Sequence, residues 1–153
     1  MSHTSQAMIH AALIKTRLQS APATGEIPTP LDITAVGVVI YEQQNITAAV
    51  NAAILKASGC AIVIVWNGWN TLDKNARTPR LTHRYNLCVW SKPVIDAGAY
   101  PADQVVESIL NRLWQWIPTG AHAYGEVEIK DGGLVPDAKF LKYDLDLLIP
   151  ISH

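Results

Sequence analysis

The chain has 153 residues, 49% of them apolar and 16% charged, with 12 basic and 13 acidic side chains for a net charge of −1. That length suits one domain whose folding buries about two thirds of the unfolded surface, and the composition excludes a disordered chain. Balanced charge removes any global attraction to nucleic acid or to an anionic membrane, and the longest apolar run, residues 60–66, is far too short to span a bilayer.

In chain order, residues 1–7 read as a flexible terminus with no positive leader or small-residue cleavage site, so no secretion signal is expected. Residues 6–20 put Ile9, Leu13 and Leu18 on one helical stripe, with Ala12 and Ile14 beside it. Three prolines and a glycine within 21–30 end that helix. Residues 33–42 are rich in branched side chains and predict a strand. Asn45 then reads as the N-cap of a helix over 46–58, with Val50, Ala53, Ile54 and Ala57 on one face and Gly59 just past its end. Residues 60–66 predict a strand apolar on both faces, at the centre of a covered sheet.

The next strand, 81–90, alternates. Leu81, His83, Tyr85, Leu87 and Val89 face one way, and Thr82, Arg84, Asn86, Cys88 and Trp90 the other. Pro101 marks a first helical turn, and Val105, Val106, Ile109, Leu110, Leu113 and Ile117 predict an amphipathic helix reaching Pro118. Val127 and Ile129 alternate with acidic and basic neighbours before Asp131-Gly132-Gly133, which reads as a hairpin turn. The last strand puts Leu141, Tyr143, Leu145, Leu147, Ile149 and Ile151 on one face, with Lys142, Asp144 and Asp146 away from it. The expected fold is α/β in the α+β sense: a single domain of 1–153, a mixed sheet with an antiparallel C-terminal hairpin and about three flanking helices.

The search for chemistry finds little. The sequence has no phosphate-binding loop and no nucleophile elbow. His83 and His122 are the two histidines in strand-like segments, and they share no ligand spacing. Glu126 with Glu128, and Asp144 with Asp146, read as solvated strand faces. Cys60 and Cys88 read as buried small hydrophobes, the usage of a soluble protein in a reducing compartment. Asn45-Ile46-Thr47 matches a glycosylation acceptor, but helix capping suits it better. No catalytic residue, metal ligand or cofactor is expected, and the chain does not read as an enzyme.

The unusual stretch is 63–85. Trp66 ends the apolar run, Trp69 follows Gly68, and Lys74, Arg77, Arg80 and Arg84 crowd one window opposed by Asp73 alone. Residues 67–79 read as a long polar loop, and a loop of that length in a small domain is usually functional. Three uses remain open: a lid on the core, a surface for a protein partner, or a stacking platform for single-stranded nucleic acid. A further alternative is a ligand-binding module whose pocket is lined by Trp66, Trp69, His83 and Tyr85.

Taken together, an N-terminal helix, a Pro-rich gap, a strand, the run "VIVWNGWN", the strand "RLTHRYNLCVW", the helix "ADQVVESILNRLWQWI" and the closing "KYDLDLLIPI" resemble the phage tail terminator and minor tail proteins, particularly those of Mu-like phages and contractile prophage tails. The resemblance covers about residues 8–151. It implies a mixed sheet flanked by helices, no enzymatic activity and no cofactor. It also implies a ring, typically a hexamer, that caps the tail tube and forms the surface where the head joins. The partners would be other copies of the chain, the tail tube protein and a head–tail connector protein. The location would be the virion tail, after assembly in the host cytoplasm, with no membrane contact.

Overall fold

The computed structural model describes residues 3–41, 46–54, 59–73, 80–91, 100–119, 123, 125–135 and 141–152. Helix α1 spans His3–Leu18 and begins inside the segment read as a flexible terminus. Its buried face is Ala7, Ala11, Ile14 and Leu18, with Gln6 and His10 beside them, while Ile9 is 37% exposed. The helix is therefore rotated from the predicted stripe. Two alanines let its backbone approach the sheet, and the Tyr85 hydroxyl donates to the Ala7 carbonyl at 2.8 Å.

Past the Pro-rich segment, a single 3-10 turn at Ile33–Ala35 is capped by Asp32, whose Oδ1 accepts from the backbone N–H and the hydroxyl of Thr34 at 3.1 and 2.6 Å. This turn takes the first residues of the predicted strand, so β1 is only Gly37–Ile40. Helix α2 is Ile46–Ile54, with Val50, Ala53 and Ile54 buried as expected. Asn45 and Ala57 lie outside the described residues. Gly59 has φ 65, the left-handed geometry that a glycine after a helix supplies at least cost.

Strands β2 (Cys60–Asp73), β3 (Arg80–Ser91), β4 (Glu128–Val135) and β5 (Leu141–Ser152) complete one five-stranded sheet in the order β1-β2-β3-β5-β4. β1 pairs parallel to β2, and the other pairs are antiparallel. β2 is buried on both faces over Cys60 to Ile64, as its sequence predicted. On one face, α1 and α3 (Ala102–Leu113) pack on Ile62, Ile64, Leu87, Val89, Leu147 and Ile149. On the other, α2 covers Ala61 and Val63. The fold is mixed α+β, one sheet with three helices, as the order of elements led us to expect. No helix among the described residues is long and apolar enough to cross a membrane.

Two expected boundaries move. Helix α3 ends at Leu113, with Trp114 as its C-cap and Gln115 at φ 54, so Ile117 is 51% exposed rather than on the core stripe. Pro118 bars a helical conformation at Ile117, and the left-handed Gln115 turns the chain back until the Trp116 carbonyl accepts from the Val127 N–H at 2.8 Å. The Asp131-Gly132-Gly133 stretch is not a turn; it runs inside β4, next to a bulge between Ile129 and Asp131. A Cβ at Gly132 would sit 2.7 Å from Leu145 Cδ2, so that glycine serves close packing against β5. The connection from β4 to β5 lies outside the described residues.

A buried charge holds the helix ends together. Arg112 is 1% exposed, and its guanidinium donates to the Arg17 carbonyl at 3.1 and 3.3 Å, to Ser20 Oγ at 3.0 Å and to Glu26 Oε2 at 2.6 Å. In return, Arg17 Nε donates to the Arg112 carbonyl at 2.9 Å, and its Nη2 reaches Glu26 Oε2 at 2.6 Å. Each arginine thus caps the carbonyl end of the other's helix, where cations are favoured, and Glu26 balances one of the two charges.

Candidate interface site

Residues 67–73 of the predicted loop 67–79 are strand. β2 continues to Asp73 and pairs with β3 back to Arg80, and the connection between them is 74–79. Lys74 and Arg77 fall in that connection and lie outside the described residues. Asp73 and Arg80 are paired through their backbones. The polar stretch hid a strand because hydrogen bonds to β3, rather than apolar alternation, hold it in the sheet.

Within it lies the feature that builds the site. Trp66 pairs with Tyr85 and Trp69 with His83, so β2 carries one more residue than β3 between these two pairs. Residues three apart on a regular strand point to opposite faces. The extra residue, with Gly68 at φ 91, reverses the alternation and returns Trp69 to the face of Trp66. The rings stack at 5.9 Å with 17° between planes. Trp66 also stacks on His83 at 5.7 Å and 27°, and His83 meets His10 of α1 edge-on at 6.2 Å. The result is an aromatic column rising from fully buried His83 to Trp69, which is 47% exposed.

Arg84 does not join it. Pointing to the opposite face, it donates from Nη2 to the Asn67 carbonyl at 3.0 Å and so braces the bulge from behind. A polar hollow of about 140 Å³ lies there, lined in part by Arg84, Lys130 and Asp146. Tyr85 and His83 are 1% and 0% exposed beneath α1, so they support the column, and only Trp66 and Trp69 present ring area to solvent. Trp66 Nε1, in the column, and both amide atoms of Gln6, on α1, are buried without a hydrogen-bond partner among the described residues. A buried polar group left without a partner costs about 1–3 kcal/mol.

Of the seven residues singled out, the structure therefore brings Trp66 and Trp69 together and turns Arg84 away. The bulge and its consequence were missed, although a glycine between tryptophans three apart is a readable sign of one. Among the described residues, no group of three His, Cys, Asp or Glu side chains converges as a metal site. Cys60 is buried as expected, but Cys88 is only half-buried. Burial, with Asp144 alongside, pushes the Cys88 thiol up to about 12, and burial raises Cys60 as well, which disfavours the thiolate of both at neutral pH. The column can offer a rigid, partly exposed indole face and little else chemically. No family model and no curated protein matches this chain.

Proposed function

We propose that the protein is a non-enzymatic virion structural subunit, a tail terminator-like ring component that caps the tail tube and presents the head-joining surface. The observation that carries this reading is Trp69, held half-exposed on a column rooted in the core. An aromatic ring fixed before binding loses little entropy on contact, the property of an interface anchor. The order of elements and the mixed α+β fold agree with what the resemblance implies. Its partners are further copies of itself, the tail tube protein and the head–tail connector protein.

The test is assembly. With Trp69 and Arg77 both changed to alanine, the protein should keep its circular dichroism and cooperative unfolding, while lysates accumulate tails of abnormal length and unjoined heads. Antibody label on wild-type particles should sit at the head-proximal end of tails. Normal tails that join heads in the double mutant would remove Trp69 from the interface, and particles without label would remove the tail assignment. In that case the Trp-lined binding module is the remaining reading, and quenching of indole fluorescence by nucleotides or single-stranded DNA would support it.

A further inference from the structure

The Val127 N–H donates to the Trp116 carbonyl at 2.8 Å, so the chain leaving α3 and the chain entering β4 run side by side. Between them lies a hollow of about 370 Å³ lined by Trp114, Gln115 and residues 126–129. Trp114 is 56% exposed, so more than half of a large apolar side chain faces water. Glu126 and Glu128, on either side of buried Val127, are both exposed, and neither is in an ion pair among the described residues. Ile129 also lines a second hollow of about 530 Å³, whose apolar walls are Val106, Leu110, Tyr143 and Leu145. Together the two hollows carry Glu126, Glu128 and Asp131 against Lys130, three carboxylates less one ammonium, or −2. β4 is the last strand in the sheet order, so one of its edges has no strand beside it among the described residues.

We propose that these two hollows form a docking site for an extended segment of a partner protein that carries an arginine. The guanidinium enters the hollow at Trp114, and an apolar side chain two residues away on the segment enters the hollow beyond Ile129. Each feature selects this chemistry. An exposed indole face attracts a flat cation. Two carboxylates without ion pairs in the same hollow accept the in-plane N–H groups of a guanidinium, a geometry that a lysine ammonium does not offer. The negative balance repels nucleic acid and anionic membranes. Alternate side chains of an extended segment point the same way about 7 Å apart, a span suited to neighbouring hollows. The site uses no residue of the Trp66–Trp69 column, and the inference does not rest on the tail reading.

The probe is the peptide acetyl-Leu-Thr-Arg-Thr-Leu-amide, titrated at low salt into the full chain with isotope-labelled nitrogen and followed by magnetic resonance. The chain has five tryptophans, and Trp114→Leu identifies the indole signal of Trp114 by its loss. In the wild type that signal should shift with the peptide, while those of Trp66 and Trp69 stay in place. Exchanging the arginine for citrulline keeps the planar shape and removes the charge, and should weaken binding about tenfold or more. Glu126→Gln with Glu128→Gln should do the same, as should Trp114→Leu, both read from the backbone amide signals of residues 126–129. Added salt should weaken the arginine peptide and leave the citrulline peptide unchanged. All three side chains are exposed, so circular dichroism of the variants should match the wild type. Should either variant lose its fold, the citrulline and salt comparisons on the wild type still decide. A Trp114 signal that does not move, shifts confined to Trp66 and Trp69, equal binding of the citrulline peptide, or undiminished binding by a folded variant would each overturn the site.

Discussion

Gly68 determines where Trp69 points. A Cβ there would meet nothing within 4 Å, so the cost of a side chain is conformational and comes from φ 91. Gly68→Ala should lower stability by about 1–2 kcal/mol, seen as an earlier urea midpoint, with indole emission changed because the stacked rings shift. Gly133→Ala is the control: it too has open space and has no positive φ, so it should change stability by less than about 0.5 kcal/mol. Equal losses at both positions would mean that the bulge is not strained in the way its dihedral indicates. Cys88 gives a second check at this scale. Half-buried, with its thiol pushed up to about 12 by burial and by Asp144, it should react with a thiol reagent at neutral pH far more slowly in the native protein than after denaturant is added. Equally fast labelling of the native protein would mean that its surroundings do not hold the thiol protonated.

The elements depend on a few close approaches. Where α2 crosses β1, a Cβ on Gly37 would lie 2.6 Å from Ala53 Cβ and 3.3 Å from its Cα, and neither atom can move without shifting the helix. Gly37→Ala should therefore destabilise by about 1–3 kcal/mol in a denaturant titration, as overpacking does, and Ala53→Gly in the same chain should restore part of the loss. The sequence showed the elements whose pattern comes from burial. β2 as a two-faced apolar strand, β3 and β5 by alternation, and α2 by its apolar face all stand where their residues put them. It failed where small residues or backbone geometry decide. Ala7 and Ala11 turned α1 away from the Ile9–Leu13 stripe, because closeness of approach outweighed side-chain size. Gly132 resembled a turn because glycine marks both turns and tight packing, and only the partner strand tells them apart. The candidate site was half legible: composition drew attention to Trp66, Trp69 and the cations, but a one-residue bulge that changes the facing of Trp69 leaves no apolar period to read.

At the scale of the whole molecule, one carboxylate bridges the arginines that join the ends of α1 and α3. The carboxylate of that cluster is Glu26. Its hydrogen bond from Arg17, helped by that from Arg112, holds it below the ordinary value of 4.5. A carboxylate with a lowered folded pKa binds fewer protons folded than unfolded. Its stabilising effect is therefore complete above the unfolded value and is lost as pH falls through the folded one. Glu26→Gln keeps the shape but not the charge. The variant should be less stable than wild type at neutral pH, and the gap between the two urea midpoints should narrow below pH 4.5 and vanish once Glu26 is protonated in the folded wild type. Asp32, held low by its bonds from Thr34, titrates in both proteins and cancels from the comparison. A constant gap at every pH would mean that Glu26 acts through packing rather than charge. The two arginines capping each other's helix would then hold the layer without it.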